Sequence, residues 1–271
     1  MAYKIITLDL DGTLTNSKKE ITPPTREALI EIQKRGYKVI LASGRPTPGV
    51  MPIAKELELD KYGSYILSFN GAKIINCQTM ETMYQKTLPT HVIPELNDFS
   101  IKYNIPIVAH AADRMYSGNG CNEYAKFESK IVGLPLYETD DFVKTIDFPI
   151  HKVIFTAEPD ELNDVEKALK NYYHDYLSIY RSEGFFLEVM PSGINKAHSL
   201  MKLLSAIGMT KDEMICCGDG FNDISMIEYA GLGVAMENAQ TVVKEAADYI
   251  TLSNDNDGIL HVINKFMLKN N

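Results

Sequence analysis

The chain has 271 residues, with 36 acidic against 27 basic side chains and a formal net charge of −9. That balance excludes a general nucleic-acid binder, because no Lys/Arg run is present to neutralise a phosphate backbone. At 45% hydrophobic and 23% charged residues, the composition is that of an ordinary globular protein with material for one large core or two modest ones. The four cysteines, Cys77, Cys121, Cys216 and Cys217, lack zinc spacing and read as free thiols of a reducing compartment. No charged leader followed by an apolar region and a cleavage site opens the chain, and no apolar run reaches membrane-spanning length. The expectation is a soluble cytoplasmic protein without a membrane partner, a monomer or weak homo-oligomer.

The first predicted element is a buried strand over residues 5–8, where Ile5, Ile6 and Leu8 form an apolar run with a β-branched bias. Asp9, Asp11, Gly12 and Thr13 follow at once. Thr22 before two prolines starts a helix, Leu29 and Ile32 recur at helical spacing, and Gly36 stops it. A second strand covers 37–42, with Ser43-Gly44-Arg45 directly at its carboxyl end. A helix over 47–57 and a third strand over 65–69, ending at Asn70-Gly71, complete a β-α-β-α-β pattern, the signature of a parallel sheet.

The pattern then changes. Short hairpin strands at 72–76 and 83–86 are predicted to lead out of the sheet. Helices near 91–103 and 159–172, strands near 106–110 and 151–157, and a hairpin of 176–181 with 185–189 give the next stretch α+β character. The parallel pattern is expected to resume at Met190-Pro191, with an amphipathic helix over 195–207 and capping-box spacing from Thr210 to Glu213. A buried strand over 214–217 ends in G-D-G-F-N-D (218–223). A helix, a strand at 232–235, another helix, a last strand near 249–252 and a helix from about 257 follow. The fold class is α/β: a Rossmann-like parallel-sheet domain, discontinuous over 1–82 and 189–271, interrupted by an α+β insert at 83–188.

The predicted loops at the carboxyl ends of the parallel strands carry the polar residues, and crevices of α/β proteins form at those ends. Asp9 and Asp11 follow the first strand, Ser43 and Gly44 the second, and Asp219, Asn222 and Asp223 a later one, while Lys196 opens the helix after the insert. Each has an ordinary reading on its own. D-G-T, S-G and D-G are turn sequences, Lys196 a solvated helix-start lysine, Asp223 an acid at a helix start, and Arg45 a solvent-exposed side chain. Together, in one repeating strand-loop-helix register, they read differently. Carboxylates facing one point repel unless a cation or proton joins them. An oxygen donor set suits Mg²⁺ better than zinc. A hydroxyl, backbone amides and one ammonium are what a phosphoryl group requires on its other side.

The motifs D-L-D-G-T, S-G-R, Lys196 and G-D-G-F-N-D, in that order, resemble those of the haloacid dehalogenase-like (HAD) hydrolase superfamily. More narrowly, the chain resembles the Cof-type sugar-phosphatase branch, whose large class IIB cap occupies the position of the insert. The resemblance covers the whole chain and includes Asn-Gly after the third strand. One departure is G-I-N-K-A, where many relatives place glycine after the lysine; Ala197 is small, so at most a slight change of the helix start is expected. The resemblance implies a Mg²⁺-dependent phosphatase of small phosphorylated metabolites, sugar phosphates first among them. Asp9 is then nucleophile and metal ligand. Asp11 is the acid and base, its carbonyl on the metal and its pKa open to upward displacement by a nearby like charge. Asp219 is a direct ligand, and Asp223 holds a metal-bound water or orients Lys196. The Leu10 backbone, Ser43, Gly44, Lys196 and Asn222 contact phosphate. Arg45, Arg114 and Arg181 are the candidates for a second anionic or hydroxyl-rich group, against the ordinary reading of surface arginines. The competing functions are a phosphomutase on the same acid pair, a phospho-accepting signalling domain and a non-catalytic sugar-phosphate sensor.

Overall fold

The computed structural model describes residues 3–268; the outermost residues of the predicted core segments, 1–2 and 269–271, lie outside that range. The chain opens with β1 (Ile5–Leu8), wholly buried. It continues through α1 (Pro23–Lys34), β2 (Lys38–Ala42), α2 (Thr47–Glu56), the single-turn α3 (Leu59–Tyr62), β3 (Tyr65–Ser68), β4 (Lys73–Asn76) and β5 (Thr82–Gln85). Helix α1 starts as its sequence requires: Thr22 Oγ1 accepts the Thr25 N–H at 3.4 Å, and prolines fill the first turn, where an N–H would lack a partner.

The insert holds α4 (Val92–Tyr103), β6 (Ile107–His110), β7 (Met115–Gly118), α5 (Glu123–Val132), β8 (Leu136–Thr139), α6 (Phe142–Thr145), β9 (Val153–Thr156), α7 (Leu162–Tyr173), β10 (Leu177–Glu183) and β11 (Phe186–Pro191). The chain then runs through α8 (Lys196–Ile207), β12 (Met214–Gly218), α9 (Ile224–Tyr229), β13 (Leu232–Ala235), α10 (Thr241–Ala246), β14 (Tyr249–Ile250) and α11 (Gly258–Val262). Two compact units result: the chain up to Gln85 together with that from Asn195, and Lys86–Ile194.

In the first unit an eight-stranded sheet has the order β14-β13-β12-β1-β2-β3-β4-β5. The strands from β14 to β3 pair in parallel, as the α/β pattern required, and β4 and β5 add antiparallel. The predicted hairpin therefore does not leave the sheet; it extends its edge, because Ile74 and Ile75 are apolar enough to be buried there. Alternation along the strands builds two cores. Ile6, Leu8, Leu41, Ile215 and Cys217 face α1, α2 and α11, while Ile5, Ile40 and Cys216 face Leu200, Leu203 and Leu204 of α8. The adjacent cysteines thus fill opposite faces, and burial pushes the Cys216 thiol up to about 12.

In the second unit a six-stranded sheet has the order β10-β11-β9-β6-β7-β8. Its main core joins Ile107, Val153, Phe155, Leu187 and Val189 to α4 and α7. The elements β7, α5, β8 and α6 had no counterpart in the sequence reading; the strands and α6 span only four residues each, too short a pattern to detect, whereas α5 is a ten-residue helix that the reading missed. Met190 and Pro191 end β11, antiparallel to β10, rather than restarting the parallel run. Among the described residues no helix is long and apolar enough to cross a membrane.

Candidate active site

Register decides what meets at the sheet's carboxyl end. Leu8 lies opposite Cys217 on β12 and Leu41 on β2, so in this parallel sheet Asp9, Gly218 and Ala42 emerge side by side. The Asp9 N–H donates to the Cys217 carbonyl at 3.1 Å, extending the ladder by one bond. Lys196 is the first residue of α8, set there by Asn195, whose Oδ1 accepts the His198 N–H at 2.7 Å. The start of this helix is therefore regular despite Ala197.

Lys196 is fully buried, and its ammonium donates to Asp9 Oδ1 and Asp223 Oδ1, each at 2.6 Å. It is no solvated lysine. Asp223 uses its other oxygen to accept the N–H groups of Asp219 (3.0 Å) and Gly220 (2.9 Å), folding the loop after β12 onto itself. Asp219 Oδ1 accepts the Thr13 hydroxyl at 2.7 Å. One oxygen from each of Asp9, Asp219 and Asp223 lies within 4.8 Å of the others. Gly12 has no alternative residue here: its φ is +84°, and a Cβ would sit 2.3 Å from Asp219 Oδ2.

The electrostatics show a shortage of positive charge. Burial, then repulsion by Asp223, lifts Asp9 to about 8 although Lys196 opposes it. Burial lifts Asp219 to about 6 against the Thr13 hydrogen bond, with Asp223 adding repulsion. Burial disfavours the Lys196 charge, yet Asp223 and Asp9 outweigh it and raise its pKa. Three carboxylates around one ammonium, all oxygen donors, fit a hard divalent cation. Asp223 has both oxygens engaged; Asp9 Oδ2 and Asp219 Oδ2 accept no hydrogen bond among the described residues.

Asp11 does not join this cluster. Arg45 forks it, Nε to Oδ2 at 2.7 Å and Nη2 to Oδ1 at 2.6 Å, and Lys19 donates to Oδ1 at 2.7 Å. Burial would raise its pKa, but these partners outweigh it and hold the carboxyl below its ordinary range. The upward shift expected from a like charge is thus reversed in this arrangement. Arg45, offered as a substrate contact, is committed to Asp11. Arg114 forks the exposed Asp113. Arg181 donates to Glu166, Asn163 and the Pro159 and Gly184 carbonyls, so it clasps the hairpin of its own unit.

Ser43 is buried, and its hydroxyl accepts the Arg45 N–H at 3.1 Å. Gly44 passes close to Asn70, whose Oδ1 would lie 3.2 Å from a Cβ. Asn222 Nδ2 donates to that same Oδ1 at 3.0 Å. Leu10 is buried, its carbonyl taken by the Thr15 hydroxyl at 2.9 Å. Sequence reasoning gave no role to Thr13, Lys19 or Asn70; of these, Thr13 carried a signal as the end of D-L-D-G-T and Asn70 as the Asn-Gly ending the third strand, while Lys19 carried none.

A parallel α/β sheet with an acid cluster and a buried lysine at its carboxyl end has the donor groups to handle a phosphoryl group. The chain belongs to the haloacid dehalogenase-like hydrolase family, which it matches over residues 6–263, and it is a phosphoric monoester hydrolase. It is 32% identical over 266 residues to the Bacillus subtilis 5-amino-6-(5-phospho-D-ribitylamino)uracil phosphatase YcsE, covering 98% of this chain and 96% of that one. A haloacid dehalogenase-like hydrolase from Bacteroides thetaiotaomicron superposes with a TM-score of 0.94 at 46% identity, over 97% and 99% of the two chains. The HAD subclass IIB sugar phosphatase BT4131 does so with a TM-score of 0.80 at 26% identity, over 97% and 98%.

Proposed function

We propose that this chain is a Mg²⁺-dependent phosphatase of small phosphorylated metabolites, sugar phosphates foremost, acting through an aspartyl-phosphate on Asp9. The observation that carries the reading is the Lys196 ammonium held 2.6 Å from both Asp9 and Asp223, beside Asp219, in a cluster short of positive charge. Asp9 and Asp219 would hold the cation with the Asp11 carbonyl, while Asp223, with both oxygens occupied, positions Lys196 and the loop. When bound, Mg²⁺ neutralises the carboxylates and the phosphate charge that would repel a nucleophile.

Lys196, Ser43, Gly44, the Leu10 backbone and Asn222 bind the phosphoryl oxygens and orient phosphorus toward Asp9. Attack by the Asp9 carboxylate forms the acyl-phosphate as the ester oxygen leaves, and Asp11 protonates that oxygen. Asp11 then takes a proton from the water that hydrolyses the acyl-phosphate, returning both aspartates to their starting state. Its ion pair with Arg45 and Lys19 suits the second step, in which it is a base. For the first step it exchanges those cations for a proton and the ester oxygen. Selectivity for the leaving group is assigned to residues of the inserted unit, 86–194. The names of YcsE and BT4131, a ribityl-phosphate phosphatase and a sugar phosphatase, support a hydroxyl-rich leaving group.

The test is release of inorganic phosphate from a panel of phosphorylated metabolites with and without Mg²⁺, alongside Asp9→Asn. The reading expects cation-dependent release by the wild type and none by the variant. Near-normal turnover by Asp9→Asn overturns it, and isomerised sugar phosphate without free phosphate identifies a mutase instead.

A further inference from the structure

The loop after β1, with Asp11, Gly12 and Thr13, follows a strand paired with β12 and meets the β12 loop through the Thr13 hydroxyl on Asp219, and a second tie between the two loops runs through a third element. That element is the turn after β13. Its backbone is fastened to the β12 loop by the Met236 N–H on the Gly218 carbonyl (3.1 Å) and the Gln240 N–H on the Asp219 carbonyl (3.3 Å). From that turn the Asn238 carboxamide crosses to the other loop, where Nδ2 donates to the Gly12 carbonyl at 2.8 Å. Its Oδ1 accepts the Asn254 N–H at 3.0 Å, and Asn254 Nδ2 donates to the Thr15 carbonyl at 2.9 Å. The adjoining Asp255 accepts the N–H and hydroxyl of Ser17, at 2.8 and 2.6 Å.

We infer that Asn238 is a positioning residue: its amide locks the Gly12 peptide to the Asp219 loop and so sets the separation of the carboxylates that hold the cation. This rests on the proposed Mg²⁺ site. The chemistry is specific to a carboxamide, since one end must donate to a carbonyl while the other accepts an N–H. Asn238 is exposed, so it contributes no core packing that its removal would disturb. Asn254 supports it from behind and holds the same loop three residues further on. Gly12 is where movement matters most, because a Cβ there would sit 2.3 Å from Asp219 Oδ2, so the peptide passes directly against that carboxylate.

The experiment measures Mn²⁺ binding to substrate-free protein by electron paramagnetic resonance or calorimetry, for the wild type, Asn238→Ala, Asn254→Ala and Asp219→Asn. It adds the kcat and KM of each and the melting temperature without cation. Losing one such hydrogen bond is expected to weaken Mn²⁺ binding by Asn238→Ala about fivefold. The expected kcat falls with KM little changed at saturating cation, and the cation-free melting temperature stays at the wild-type value. Asn254→Ala shows a smaller loss of the same sign. Mn²⁺ affinity and kcat of Asn238→Ala equal to wild type overturn the inference. So does a loss of affinity matched by a fall in cation-free melting temperature, which makes the contact a fold-holding one. A wild type that binds no Mn²⁺, like Asp219→Asn, overturns the cation site itself and the inference with it.

Discussion

The acid cluster predicts an unusual dependence of stability on pH in cation-free protein. In the native state Asp9 keeps its proton to about pH 8, against an ordinary value of 3.8. Between those values the native state binds a proton that the unfolded chain has released, so stability falls as pH rises. The contribution is complete below the unfolded value and gone above about 8. Each pH unit in that window corresponds to about 1.4 kcal/mol for one group. From pH 6 to pH 8 the upper bound is therefore about 3 kcal/mol. For a domain of this size that bound corresponds to roughly 6–12 °C in melting temperature. The assay is thermal unfolding in EDTA from pH 6 to 8 for wild type and Asp9→Asn, a nearly isosteric variant whose amide still accepts from Lys196. His110, its pKa lowered by burial, contributes the opposite slope to both proteins and cancels in the difference. The wild type is expected to lose stability relative to the variant as pH rises, and millimolar Mg²⁺ is expected to restore it. Parallel pH curves for the two proteins refute the reasoning.

Lys196→Met leaves Asp9 and Asp223 buried without their ammonium. Denaturant titration at pH 8 is expected to show a loss of about 3–5 kcal/mol, and phosphate release should cease. A stable, active variant refutes both roles. Gly12→Ala forces a Cβ to within 2.3 Å of Asp219 Oδ2 at a φ of +84°; turnover is expected to drop more than about tenfold through displacement of one cation ligand, with an unchanged circular dichroism spectrum. Arg181→Ala removes four hydrogen bonds within the inserted unit. It is expected to reduce stability by about 1–3 kcal/mol while leaving p-nitrophenyl phosphate turnover at 25 °C unchanged; loss of turnover in a folded variant would give Arg181 the substrate role that its partners deny it.

The amino-acid sequence by itself determined the elements whose signals are local. The apolar run before Asp9, the Thr22-Pro-Pro helix start, the Thr210–Glu213 capping box and the buried run before Gly218 each code for a backbone conformation within a few residues, and each forms where it was read. Three motifs at strand ends and a lysine opening a helix indicated which loops to read together, because parallel strands deliver their carboxyl ends to one edge. The inserted unit was only partly legible, since its short β7 and β8 borrow their definition from neighbours in a sheet ordered β10-β11-β9-β6-β7-β8. Only the tertiary structure decided how the charges pair. Asp9 and Asp11 are two residues apart and chemically identical, yet one is buried against Lys196 and raised while the other is forked by Arg45 and lowered. Asn238 and Asn254 carried no signal in the sequence; their amides acquire a role only by meeting the carbonyls of Gly12 and Thr15. Propensity and hydrophobic period are properties of a short segment, whereas a pKa or a hydrogen-bond partner depends on distances set by residues some two hundred positions away, which exist only once the sheet has closed its register.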